Sequence, residues 1–134
     1  MGFTDKFRQQ HDEILEMVGE LNTKLKARGD AQDLRGALSN LAGKLNFHLA
    51  MEDKALYPRL MKLDAQANKM AGRFMEEMGG LAEVFSTYNN RWQVSAIRSD
   101  PEGFAAETRK VFTALGKRIA RENAELYPLA DKAA

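Results

Sequence analysis

Two histidines, His11 and His48, and a carboxylate that recurs in the same surroundings are the residues of this 134-residue chain best suited to chemistry. The stretch HLAMEDKALYPRL, from His48 to Leu60, can be laid over RIARENAELYPLA, from Arg118 to Ala130. The two agree at Ala50/Ala120, Glu52/Glu122, Leu56/Leu126, Tyr57/Tyr127 and Pro58/Pro128, but His48 in the first corresponds to Arg118 in the second. His48 and Glu52 stand four residues apart, so a helix offers both from one face to a single ion. His11 and Glu122 complete a set of two imidazoles and two carboxylates, which suits iron, manganese or zinc rather than magnesium or calcium. Each of the four alone is compatible with a hydrogen-bonded core residue. Together they point to a metal.

The elements that must position them read as helices, because no segment alternates as a strand does. Helix one is expected from an N-cap at Thr4 to Arg28, with Gly29 as its stop and Phe7, His11, Ile14, Val18, Leu21 and Leu25 inward. Helix two begins near Ala31, served by Asp30 or Asp33, and runs to Leu56-Tyr57-Pro58, with Leu34, Leu38, Leu41, Leu45, His48, Glu52 and Leu56 inward. The third follows Asp64 and extends to Ile97 as one long helix, with Met70, Phe74, Met78, Leu81, Phe85, Tyr88 and Trp92 inward. In the fourth, Asp100 caps and Pro101 takes the first position; Phe104, Thr108, Val111, Leu115, Arg118, Glu122 and Leu126 form its stripe. Short connections imply an all-α, antiparallel, up-down-up-down four-helix bundle over residues 1–134 as one domain. Leu-Tyr-Pro is expected to end or kink its helix, since proline removes a donor.

The inward polar residues are the informative ones. An ionised carboxylate buried without a partner costs several kcal/mol or more, so two inward glutamates require cations between them. A bundle core offers a metal ion or an arginine. Arg118, one turn before Glu122, is expected to face Glu52 and pair with one or both carboxylates; otherwise its stem lies along the core and its head reaches solvent. Glu52, Glu122 and Arg118 sum to minus one. A divalent ion brings the total to plus one and a protonated imidazole to zero, so charge leaves both a one-metal site and a metal-free network open.

Composition narrows the alternatives. Twenty basic against nineteen acidic residues give a net charge of +1 with both signs interspersed, which disfavours nucleic acid as a partner. No apolar stretch is long enough to span a membrane, and the N-terminus MGFTDKFRQQ lacks the pattern of a secretory signal. The absence of cysteine removes thiolate chemistry and fits a cytoplasmic setting. With no nucleophile–base pair, phosphate loop or dinucleotide fingerprint, an enzyme is not expected.

From QQHDEI to ENAELYPL, with its early histidine, its His48-x-x-x-Glu52 and its two Leu-Tyr-Pro continuations, the chain resembles a hemerythrin-like domain of the HHE cation-binding type. The resemblance implies a four-helix bundle holding a non-haem di-iron centre, in proteins that bind oxygen, respond to nitric oxide or redox state, or donate iron for repair. It places His11, His48 and Glu52 on ligand positions and Glu122 on the second bridging carboxylate, so the set for one iron is intact. The histidines for the other iron fall on Met78, in RFMEEMGG, and on Arg118. A thioether is a poor ligand for ferric iron, and a guanidinium cannot ligate. The expectation is therefore a degenerate site for a single ion (iron first, with zinc or manganese possible) and a second-site remnant at Met78 and Arg118. Glu77, Tyr57 and Tyr127 are further candidates to line it. The function implied is sensing or a redox, oxygen or nitric-oxide response, with a small diatomic ligand or a protein as partner. Reversible oxygen carriage of the di-iron kind is not expected, since it draws on two irons. The alternative is a metal-free interaction or regulatory module built on an Arg118–Glu–His network.

Overall fold

Three aspartates start helices where the sequence places them. Asp30 accepts from the backbone N–H of Gln32 at 3.1 Å, Asp64 from that of Ala67 at 2.7 Å and Asp100 from that of Gly103 at 3.0 Å. Each satisfies a donor that a first helical turn cannot pair internally. The computed structural model describes residues 2–132, and its regular structure is helical, with no strand among the described residues. The helices are α1 (Asp5–Lys26), α2 (Ala31–Met51), α3 (Tyr57–Leu63), α4 (Ala65–Met78), α5 (Leu81–Arg91), α6 (Val94–Ser99), α7 (Pro101–Arg121) and α8 (Tyr127–Asp131). They group into four stretches, α1, α2–α3, α4–α6 and α7–α8, in which α1 and α5 each pack on both α2 and α7. That is roughly the arrangement of a four-helix bundle.

The element ends differ from expectation in four places. Helix one stops at Lys26, and it is Arg28, with φ of 55°, that takes the left-handed conformation expected of Gly29. The Gly29 N–H instead closes onto the Lys24 carbonyl at 2.9 Å. Thr4 makes no side-chain cap; its hydroxyl bonds Asp131 at 2.8 and 2.9 Å and so ties the start of α1 to the end of α8. The long third helix is broken twice. At Gly79 the N–H bonds the Met75 carbonyl at 2.7 Å and any Cβ would collide with that same oxygen, so the helix turns off there. At Trp92 the end of α5 is claimed by Arg35 of α2, which donates to the Asn89 and Trp92 carbonyls at 2.6 and 2.8 Å.

Leu-Tyr-Pro neither ends nor breaks its helices. Glu52–Leu56 and Glu122–Leu126 form single π-helical turns that lead straight into α3 and α8. The N–H of Tyr57 bonds the carbonyl of Glu52, and that of Tyr127 the carbonyl of Glu122, five residues back. Pro58 and Pro128 lack the N–H that an α-helix would use next, and their rings would crowd the carbonyl four residues earlier. The wider turn relieves that crowding.

The buried side chains form two apolar clusters. One includes Ile14, Leu21, Leu38, Leu45, Phe85, Trp92, Phe104 and Leu115. The other includes Phe7, Leu56, Leu60, Ala71, Phe74, Leu126 and Tyr127. Each Leu or Phe fully buried there stabilises the fold by roughly 1.5–3 kcal/mol. Between the two clusters along α1, α2 and α7 lie Gln10, His11, His48, Glu52, Arg118 and Glu122, all buried. The fold is two apolar plugs with a polar layer clamped between them.

Candidate metal centre

α1 delivers Gln10 and His11 to this layer, α2 delivers His48, and the first π turn delivers Glu52. From the other side α7 brings Arg118, the second π turn Glu122 and Asn123, and α8 Tyr127. The Nε2 of His11 lies 2.9 Å from Oε1 of Glu122 and 3.0 Å from the Tyr127 hydroxyl. That of His48 lies 3.4 Å from Oε2 of Glu52, 4.0 Å from Oε1 of Glu122 and 3.5 Å from the Tyr127 hydroxyl. Tyr127 donates to Oε2 of Glu52 at 2.7 Å.

The far sides of the imidazoles are fixed. Nδ1 of His11 meets Oδ1 of Asn123 at 2.9 Å, and Nδ1 of His48 meets Oε1 of Gln10 at 2.6 Å. Each amide oxygen only accepts, so each ring carries its proton on Nδ1 and turns Nε2 inward. Gln10 is held in turn, its amide nitrogen reaching the Met51 sulfur at 3.3 Å. This is the outer support that metal-ligating histidines usually have.

Charge in the layer is unevenly shared. Arg118 is 5% exposed, so its side chain is buried in the layer rather than extended into solvent. Its guanidinium donates from Nε to Glu122 and from a terminal nitrogen to Glu52, both at 3.4 Å, and to the Met78 carbonyl at 3.2 Å. Burial pushes both carboxyls toward the neutral acid. At Glu122 the hydrogen bonds from His11 and His48 and the charge of Arg118 overcome burial and hold it well below the usual range. At Glu52 burial prevails and its pKa is raised. Burial also opposes charge on His48, but Glu122 and Glu52 outweigh it and push the imidazole up to about 9.

Ligand atoms of His11, His48, Glu52 and Glu122 all lie within 4.8 Å of one another. Donors at 2.0–2.2 Å from one ion lie no more than about 4.4 Å apart. A contraction of a few tenths of an ångström thus closes the shell, and the donor types suit iron, zinc or manganese. With both Nδ1 protons used outward, two imidazole Nε2 atoms and two carboxylates face one point. Only protons or a cation make that arrangement favourable. The residues fit a metal.

The other candidates distribute differently. Tyr127 belongs to the cluster. The Tyr57 hydroxyl is buried and finds no hydrogen-bond partner among the described residues. Glu77 lies outside, exposed and paired with Arg121. Met78 meets Arg118 through its backbone carbonyl, and its side chain is only half-buried. Both line a surface cleft of about 370 Å³ that reaches Arg118 from outside. Gln10 and Asn123 were not legible as site residues, although signals existed. Gln10 falls three residues after Phe7 on the inward stripe, and Asn123 stands where the first copy of the motif has Asp53.

A family model described as "Hemerythrin HHE cation binding domain" matches residues 2–130. The chain belongs to this family. No match emerges among curated proteins or among solved structures. Membership in the HHE cation-binding family and the buried His/Glu cluster agree on what this layer could hold. Among the described residues, no helix is long and apolar enough to cross a membrane.

Proposed function

We propose that this hemerythrin-like domain binds one non-haem metal ion per chain, iron in preference to zinc or manganese, through His11, His48, Glu52 and Glu122. The observation that carries the reading is the pair of Nε2 atoms turned inward by Gln10 and Asn123 onto two buried carboxylates. Arg118 serves as the second cation of the layer, bound to the outer oxygens of both glutamates. The ion supplies a site for redox change or for a small diatomic ligand. The chain's residues fix the imidazoles, balance the charge and keep bulk water out. The role is sensing or a redox, oxygen or nitric-oxide response in the cytoplasm rather than enzymatic turnover, on an antiparallel up-down-up-down bundle.

Metal content per chain after purification without chelator tests this. One ion is expected, falling to none in His48→Ala while the helical circular dichroism persists. Two ions, or binding indifferent to His48, rules out the assignment. One observation favours a metal-free network serving as a regulatory or protein-interaction module. With His48 protonated, the layer balances two carboxylates against two cations and is neutral. A chain that takes up none of the three metals would establish that reading.

A further inference from the structure

The Tyr127 hydroxyl has closer neighbours among the proposed ligands than most of them have among themselves. It lies 2.7 Å from Oε2 of Glu52, 3.0 Å from Nε2 of His11 and 3.5 Å from Nε2 of His48. His48 itself is 3.4 Å from Glu52 and 4.0 Å from Glu122. The phenol has one proton, and the 2.7 Å contact commits it to Glu52. Its oxygen then turns a lone pair toward His11 Nε2, the same atom that faces Oε1 of Glu122 at 2.9 Å. The phenol oxygen, His11 Nε2 and the carboxylates of Glu52 and Glu122 thus converge on one point, where a proton serves one pair of them and a metal ion serves all at once. Tyr127 is fully buried, its ring stacked on that of His11 with centroids 5.1 Å apart, so it cannot swing out of the layer.

We infer that Tyr127 is a fifth ligand of the metal centre, binding ferric iron as phenolate. Tyrosinate is an established protein ligand for iron, as in the haem of catalase, and a hard anionic oxygen favours a trivalent over a divalent ion. On ligation one iron–oxygen bond forms and the phenol O–H bond breaks. The proton leaves toward solvent by way of Glu52, and iron is ferric before and after. The buried charge is then three negative side chains against Arg118 and a trivalent ion, or plus one. A divalent ion with a neutral phenol gives the same total, so the layer accepts the trivalent ion without added charge. Tyr57, the counterpart in the other copy, makes no such contact and serves as the internal control.

This inference rests on the proposed metal site, and the test separates the two. The whole protein is loaded with ferric nitrilotriacetate and, in parallel, with zinc sulfate. Ferric loading should give a visible phenolate-to-iron band that zinc does not, and excitation in that band should enhance tyrosinate ring vibrations. Tyr127→Phe should lose the band and weaken ferric binding by more than the ~10–100-fold typical of losing an outer partner. It should still take up one zinc ion, which shows that the fold and the other four donors survive. Tyr57→Phe should keep the band. One ferric ion per chain without the band, or a band that survives in Tyr127→Phe, overturns the fifth ligand and leaves the metal site standing. Failure to bind either metal overturns both.

Discussion

The two copies of the Glu-x-x-x-Leu-Tyr-Pro motif share a backbone and differ in what their side chains meet. Both run through a π turn, from Glu52 to Leu56 and from Glu122 to Leu126, and both bury the glutamate and the tyrosine. One turn before the glutamate, however, the first copy has His48 and the second Arg118. Tyr127, in the second copy, reaches across to His11, His48 and Glu52. Tyr57, in the first, feels the charges of Arg118, Glu122 and Glu52 but hydrogen-bonds to none of the described residues. The carboxylates show the same split, with Glu122 pulled well below the usual range and Glu52 raised by burial. A near-symmetric scaffold thus holds one half able to coordinate and one half filled by a fixed positive charge. Where the first copy turns an imidazole toward the carboxylates, the second pairs them with a guanidinium.

The largest expected effect comes from removing that charge. Arg118→Met leaves Glu52 and Glu122 buried without their permanent cation, and breaking such a network costs ~3–5 kcal/mol. Chemical denaturation should show this loss in the metal-free protein. Arg121→Met should do far less, because Arg121 holds the exposed Glu77 and Glu125 rather than a buried carboxylate. Similar effects of the two variants would mean that Arg118 does not hold the layer together. The comparison is sharpened by making the halves alike. Arg118→His combined with Met78→His should raise the metal content from one ion per chain to two. A content no higher than the parent's would show that residue type alone does not separate the halves.

His48 carries the next effect, through pH. Its imidazole is pushed up to about 9 in the folded chain, against the ordinary 6.5. The folded state therefore holds this proton more tightly than the unfolded one. In the metal-free protein the resulting stability is fully present below about pH 6.5 and is lost as pH climbs through 9. Thermal melts across that window should fall, and His48→Gln should flatten the fall. A melting temperature that rises over the window would contradict the pairing with Glu52 and Glu122. Metal reverses the sense, since ligation requires a free Nε2 and so releases the proton.

Sequence periodicity was enough to place the layer, and the reason is visible residue by residue. His11, His48, Glu52, Arg118 and Glu122 each interrupt an apolar stripe, and a side chain in such a stripe has only the core to point into. What periodicity could not reach depended on contacts between segments. Arg35 ends α5 from a different helix, so nothing near Trp92 announces the break. The π turns were hidden because proline reads as a breaker, and only a five-residue hydrogen bond shows how the helix absorbs it. Gln10 and Asn123 matter through the Nδ1 atoms they engage, which lie on other segments. Glu77 shows the opposite error. It stands beside Met78, whose carbonyl meets Arg118, but turns outward to Arg121.

The smallest effects belong to the two tyrosines, and they probe the comparison most directly because the substitution is identical. Tyr127→Phe removes a hydrogen bond of 2.7 Å to a carboxylate, and bonds to charged groups are worth about 1.5–3 kcal/mol. The metal-free variant should therefore be measurably less stable. Tyr57 is 4% exposed and its hydroxyl has no partner among the described residues. A buried hydroxyl left unpaired costs about 1–3 kcal/mol, so deleting it removes a penalty as well as a little packing volume. Tyr57→Phe should accordingly leave stability unchanged or raise it by up to about 1 kcal/mol. Urea denaturation of the two variants side by side, without metal, gives both values against one parent. Opposite or clearly unequal shifts would place the asymmetry at the level of single hydroxyl groups. Equal losses would mean that Tyr57 has a partner of its own, and that the two halves are more alike than their ligands suggest.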